Sequence, residues 1–163
     1  EKGHYNPYGN QCYGKMRGPL HLGHTFETDV MELSPPIGQL TFFKWEKFEL
    51  ALSLLYALLE GLSATLDIQR NEINGCLHPR LEGYSLILFD EVPGGAGHVS
   101  RARDEATLRA VFEEAYRIVS SCSCGPETSC YSCLRNYKNQ FVHHRLNRGA
   151  VVEFMERFEL KGV

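Results

Sequence analysis

Four cysteines lie within twelve residues near the C-terminal end of this chain, at Cys122, Cys124, Cys130 and Cys133. A Cys-x-Cys pair and a Cys-x2-Cys pair, joined by a Gly-Pro turn, can direct four thiolate sulfurs at one tetrahedral ion. Sulfur ligands in a tetrahedral set suit zinc, and a four-sulfur zinc site leaves no coordination position for water. The spacing therefore predicts one structural Zn²⁺. An iron–sulfur cluster or disulfides are the alternatives.

A glycine-rich loop, residues 90–98, follows a predicted buried strand. Backbone amides freed by Gly94, Gly95 and Gly97 could form an anion-binding nest there, although the loop lacks the lysine and hydroxyl of a phosphate-binding P-loop. The alternative, which the glycines favour, is a sharp turn against a packed neighbour. Asp90, Glu91 and His98 could form a metal-dependent nuclease site. Asp90 and Glu91 are adjacent, however, and adjacent strand residues point to opposite faces of a sheet, which does not favour their binding one metal ion. A structural role for Asp90, in capping loop amides, is therefore favoured.

The segment after the cysteines, residues 131–148, contains no acidic residue. Its cations and interleaved aromatic rings predict a surface that binds nucleic-acid backbone and unpaired bases. The alternatives are aromatic packing over the metal site and a basic face that is merely solvated or that pairs with the acidic helix at 104–121. The candidate contacts in this segment are Arg135, Lys138, Arg145, Arg148 and Tyr137, with His143 and His144 as possible further charges and Tyr131 and Phe141 as further rings.

The elements that must position these residues are predicted from apolar periodicity. Three helices are expected. The helix over 45–66 is apolar nearly all round and is therefore central to the core. The second helix covers 104–121 with Asp104 as its N-cap, and the third runs from an Asn147 cap to residue 158. Strands are expected over 26–33, over 67–76 with a turn at Asn74-Gly75, and over 84–89 with both faces covered. Cys76 is expected to be a packed thiol. This order predicts an α+β fold, with helices packed on a small sheet.

The length of 163 residues and the net charge of −3 are ordinary for one globular domain, so DNA binding would need a local basic face. Residues 1–24 are expected to be a loop-rich entry segment or the tail of a preceding module, and 25–163 the domain proper. Cys12, His21 and His24 make a second metal site only if His4 joins them. We expect no membrane span, a cytoplasmic location, and a chain that is part of a longer one.

Three motifs in order, Leu22–Val30, Phe89–Gly97 and Cys122–Gln140, resemble the zinc-binding domain of MrfA-type superfamily 2 DNA helicases. That family also occurs in the DrmB component of the DISARM phage-defence system. The resemblance implies that the four cysteines bind the metal. It also implies a non-catalytic role beside a helicase core, in cis or in trans, in DNA repair or phage defence. A protein–protein scaffold without nucleic-acid contact is the alternative function, and a nuclease is a further one.

Overall fold

The structure, a computed structural model, describes residues 5–13, 18, 21, 23–40 and 44–160. Within these ranges, three strands and four α-helices are connected by short 3-10 segments. In chain order they are β1 (Val30–Leu33), α1 (Lys47–Leu66), β2 (Ile73–Arg80), β3 (Gly83–Asp90), α2 (His98–Arg101), α3 (Glu105–Ser121) and α4 (Arg148–Arg157), with 3-10 segments at Ile37–Gln39, Arg70–Glu72 and Tyr137–Arg145.

The sheet has β3 at its centre, with β1 and β2 antiparallel on either side. β2 and β3 form a hairpin that turns at Leu81 and Glu82, because Arg80 pairs with Gly83. The strand predicted over 26–33 begins only at Val30. The α+β class and the small sheet are confirmed.

The turn predicted at Asn74-Gly75 is wrong, because both residues lie inside β2 and Gly75 pairs with Leu88. A Cβ atom at Gly75 would lie 2.8 Å from the carbonyl oxygen of Ile87 and 2.8 Å from a methyl carbon of Leu55. Glycine is therefore present so that α1 can pack closely on the sheet, and not for a turn.

Helix α1 confirms the helix predicted over 45–66 and forms the centre of the core. Its length and apolar composition would also suit a membrane span, but every residue from Leu50 to Leu59 is buried inside the protein. A helix that is apolar all round and covered on all sides is a core helix. It packs on one face of the sheet and against α3.

The two faces of the sheet are not equally covered. Leu86 and Leu88 are fully buried on the α1 face, whereas Ile87 and Phe89 on the other face are only partly buried. The predicted coverage of both faces of β3 is therefore only partial. Cys76 is exposed, so its predicted packing is wrong: it alternates with Gly75 and points away from α1.

Helix α3 confirms the helix predicted over 104–121. The carboxylate of Asp104 accepts a hydrogen bond of 2.9 Å from the Thr107 amide, which is the predicted N-cap. Asn147 precedes α4 as expected, but its side chain makes no capping bond and instead donates to Glu49 at 3.3 Å. α3 ends directly before Cys122, and the 3-10 segment Tyr137–Arg145 separates the cysteine cluster from the start of α4 at Arg148.

Candidate metal centre and basic surface

The four cysteines converge where α3 ends. Cys122 immediately follows the last residue of α3, and a turn through Gly125 leads to Cys130 and Cys133. All four sulfur atoms lie within 4.8 Å of one another. The separations are 3.5 Å for Cys122 to Cys124, 3.5 Å for Cys122 to Cys130, 3.8 Å for Cys124 to Cys133 and 3.9 Å for Cys130 to Cys133.

These separations fit a four-sulfur zinc site. A tetrahedron with zinc–sulfur bonds of about 2.3 Å has sulfur–sulfur edges of about 3.8 Å. A disulfide would instead need about 2.05 Å, and the four thiols are free. A set of four sulfurs closes the coordination sphere of zinc, so the ion would stabilise the fold without presenting a reactive water.

Backbone amides point at the sulfurs and favour their charged form. The Ser132 amide donates to the Cys130 sulfur at 3.4 Å, and this hydrogen bond lowers the pKa of Cys130 to about 7. Burial raises the pKa values of Cys124 and Cys133. Because zinc binds thiolates, the amide bond to Cys130 favours its ligand form, whereas the buried Cys133 and the partly buried Cys124 would have to lose protons on metal binding.

Arg148, predicted to contact DNA, holds the cysteine cluster against α3. Its guanidinium donates to the Cys124 carbonyl at 2.7 Å and to the Val119 carbonyl, in the last turn of α3, at 3.1 Å. The next residue, Gly149, donates its amide to the Pro126 carbonyl at 2.9 Å. The start of α4 therefore lies directly on the turn between the two cysteine pairs.

Arg135 has a similar place inside the cluster. Its guanidinium donates to the hydroxyls of Ser129 at 3.0 Å and Thr128 at 3.1 Å. Arg135 and Arg148 are both partly buried and both brace the turn that carries the cysteines. Their predicted DNA contacts remain predictions, and their positions give them a structural role as well.

The remaining predicted contacts are more exposed. Lys138 forms a salt bridge of 2.9 Å with Glu91, and the Arg145 guanidinium lies 5.2 Å from the centre of the Phe48 ring. Both side chains stay accessible, and Tyr137 is 84% exposed. Exposed positive charges beside an exposed ring are the arrangement that the nucleic-acid prediction requires.

The glycine-rich loop encloses an anion that belongs to the chain itself. Asp90 is fully buried, and its carboxylate accepts hydrogen bonds from the amides of Ala96 at 2.7 Å, His98 at 3.0 Å and Val99 at 3.0 Å. The predicted capping role of Asp90 is therefore confirmed.

The three loop glycines all adopt positive φ: Gly94 at 91°, Gly95 at 74° and Gly97 at 76°. The amides of Gly94 and Gly95 donate to the carbonyls of Glu27 and Val92. Phosphate binding by this loop remains untested, but an external anion would compete with Asp90 for the neighbouring amides.

The alternative nuclease residues do not form a metal site. Asp90 is fully engaged by amides, Glu91 pairs with Lys138, and the His98 ring nitrogen lies 3.9 Å from Glu72. In the part of the chain that the structure describes, the four cysteines are the one group of three or more side chains placed to hold a metal. Cys12, His21 and His24 form no such group there, and His4 lies outside the described residues.

Sequence reasoning missed how the basic segment is held. Asn136 and Asn139 cap each other's backbone amides reciprocally at 3.1 and 2.8 Å, and buried Asn139 also donates to the Leu134 carbonyl at 2.8 Å. The Asn-x-x-Asn spacing was the one available signal, because it places two amide side chains three residues apart at the start of a helical turn.

Comparisons with known proteins agree with this geometry. A family model described as the MrfA Zn-binding domain matches residues 54–134, which include all four cysteines. The chain is 26% identical over 152 residues to Druantia protein DruE of Escherichia coli, with 84% of this chain and 8% of DruE covered. Among solved structures, the DUF1998 helicase MrfA bound to DNA has a TM-score of 0.50 and 16% identity, covering 76% of this chain and 16% of that chain. The chain thus spans only a small part of the length of either relative.

Proposed function

We propose that this chain is the zinc-stabilised accessory domain of a DNA helicase or phage-defence protein, where it helps to hold DNA, because the MrfA Zn-binding domain model matches residues 54–134. The domain binds one zinc ion, and Cys122, Cys124, Cys130 and Cys133 are its proposed ligands. The domain itself is non-catalytic and works beside a helicase core, in cis or in trans. Such a protein would act in the cytoplasm, in DNA repair or in defence.

The observation that carries this proposal is the anchoring of an acid-free segment to the cysteine cluster. No acidic residue occurs from Thr128 to Val152. Arg135 and Arg148 tie the two ends of this segment to the cysteine turn, and Lys138 and Arg145 remain accessible between them. Positive charge held on an anchored segment favours contact with phosphate, although the net charge of the whole chain is −3.

A titration at several salt concentrations tests this function. The zinc-loaded chain should bind labelled DNA with an affinity that falls steeply as salt rises, because each neutralised phosphate releases counterions. Replacing Lys138 and Arg145 together with alanine should weaken binding and flatten the salt dependence. Absence of salt-dependent binding would refute the DNA role and leave the zinc site unaffected.

A protein–protein scaffold is the second candidate, since each cation of the segment already has a partner within the chain. Lys138 pairs with Glu91, Arg145 lies over Phe48, and the two bracing arginines bind carbonyls or hydroxyls. A scaffold would bind a helicase core with similar affinity at low and high salt and would not bind DNA. The same titration, run with each partner, separates the two functions.

A further inference from the structure

Three aromatic rings in the basic segment point into solvent. The side chains of Tyr131, Tyr137 and Phe141 are 68%, 84% and 75% exposed. Isolated exposed rings are common on protein surfaces, but these three, which we call the ring surface, lie within eleven residues of sequence and beside the metal cluster. Packing over the metal site, the alternative role for aromatics in this segment, does not explain rings that are this exposed.

The backbone beneath the rings is held in place. Tyr131 lies between Cys130 and Cys133 in the cysteine turn, and its ring is nearly perpendicular to the His143 ring, with the two ring centres 5.5 Å apart. His143 in turn lies 2.8 Å from the side-chain oxygen of the buried Asn139. The ring surface is therefore preorganised, so a ligand would bind without first ordering a flexible loop.

Charge identifies the kind of ligand. The ring surface lies in the stretch without acidic residues, and the accessible cations Lys138 and Arg145 accompany it. An apolar protein partner would contact the rings but would not need the positive charge. Duplex DNA would contact the positive charge, but its base faces are stacked inside the helix and are not available to the rings. Single-stranded DNA offers both an anionic backbone and free base faces.

We infer that Tyr131, Tyr137 and Phe141 form a stacking surface for the unpaired bases of single-stranded DNA. Lys138 and Arg145 contact the phosphates on either side. This inference rests on the proposed DNA-binding function and specifies its substrate. Stacking of one base on one ring contributes about 1–3 kcal/mol, which corresponds to a change in affinity of about 5- to 150-fold.

The test measures fluorescence anisotropy of labelled oligothymidine and of a duplex of equal length, with the zinc-loaded chain. Tyr137→Ala and Phe141→Ala should each weaken oligothymidine binding about tenfold and leave duplex binding unchanged. Tyr8→Ala is the matched control, because Tyr8 is 87% exposed but lies outside this segment. Zinc content and melting temperature should not change in any of these variants.

A second pair of variants separates stacking from general apolar contact. Tyr137→Phe should keep the affinity for oligothymidine, whereas Tyr137→Leu should lose it. Equal losses for oligothymidine and duplex, or no loss in any ring variant, would overturn the stacking surface while leaving salt-dependent DNA binding intact. Failure of the unchanged chain to bind either probe would overturn the proposed function itself.

Discussion

Replacement of Arg148 with alanine tests whether this residue braces the metal cluster or contacts DNA. Its guanidinium joins two carbonyls, one on Cys124 in the cysteine turn and one on Val119 in the last turn of α3. A cation at this position also interacts favourably with the negative end of the α3 dipole. Alanine would leave both carbonyls without this donor.

The expected loss of stability follows from these two bonds. Hydrogen bonds to charged groups contribute about 1.5–3 kcal/mol each, and the partial burial of Arg148 places the pair near the lower end, at roughly 3–4 kcal/mol together. Arg148→Lys keeps the positive charge but cannot present the forked guanidinium to both carbonyls, so it should lose a large part of the same stability.

Urea unfolding of the zinc-loaded chain measures this effect, with Arg145→Ala as the control. Arg145 lies over the Phe48 ring at an exposed position, where such a contact contributes about 0.5–1 kcal/mol. The bracing role would be refuted if Arg148→Ala unfolded at the same urea concentration as the unchanged chain. If that variant also lost DNA affinity, and Arg148→Lys restored it, Arg148 would act as a phosphate contact alone.

Three further changes test other parts of the molecule. Cys130→Ser should release zinc and lower stability by several kcal/mol, because zinc binding is coupled to folding; retained stoichiometric zinc in a metal assay would contradict this. Asp90→Asn removes the charge that three loop amides surround, and it should lower the free energy of unfolding by about 2–3 kcal/mol. An unchanged midpoint in thermal or urea unfolding would count against a stabilising role for the Asp90 carboxylate. Glu91→Gln frees Lys138 from its salt bridge, so it should tighten DNA binding and increase the slope of log affinity against log salt concentration by up to about one. Weaker binding would instead show that the Lys138–Glu91 salt bridge is needed.

Local sequence patterns were sufficient for the cysteine cluster and for the main helices. Two short Cys motifs need only a tight turn to meet, and the structure brings their sulfurs within 4.8 Å. The apolar residues of α1 and α3 repeat with helical periodicity, and Asp104 precedes α3 in the position of an N-cap. Each of these features depends on residues that are close in sequence.

Contacts between distant residues were not predictable in the same way. Arg148 and Val119 are 29 positions apart, and Lys138 and Glu91 are 47 apart, so their pairing depends on how the helices pack. A sequence pattern shows that Arg148 is a cation but not which partner it meets. For the same reason, the sequence predicts a DNA contact for Arg148 but not its bonds to the Cys124 and Val119 carbonyls.

Three local signals were misleading or absent. Asn-Gly is typical of a hairpin turn, but Gly75 serves the close packing of α1. Pro79 lies within β2 because that strand is at the edge of the sheet and needs no donor there. The 3-10 segment Tyr137–Arg145 has no apolar periodicity, since its rings face solvent and its order comes from Asn136 and Asn139.

The close approach of α1 and α3 at Gly61 determines where the metal lies relative to the sheet. A Cβ atom at Gly61 would be 2.5 Å from the Val111 carbonyl oxygen, so even one methyl group there would push α3 outward. Since Cys122 directly follows the last residue of α3, such a shift would tilt the cysteine cluster and the basic segment attached to it as one unit. The orientation of both is therefore determined in the core, at a residue that belongs to neither.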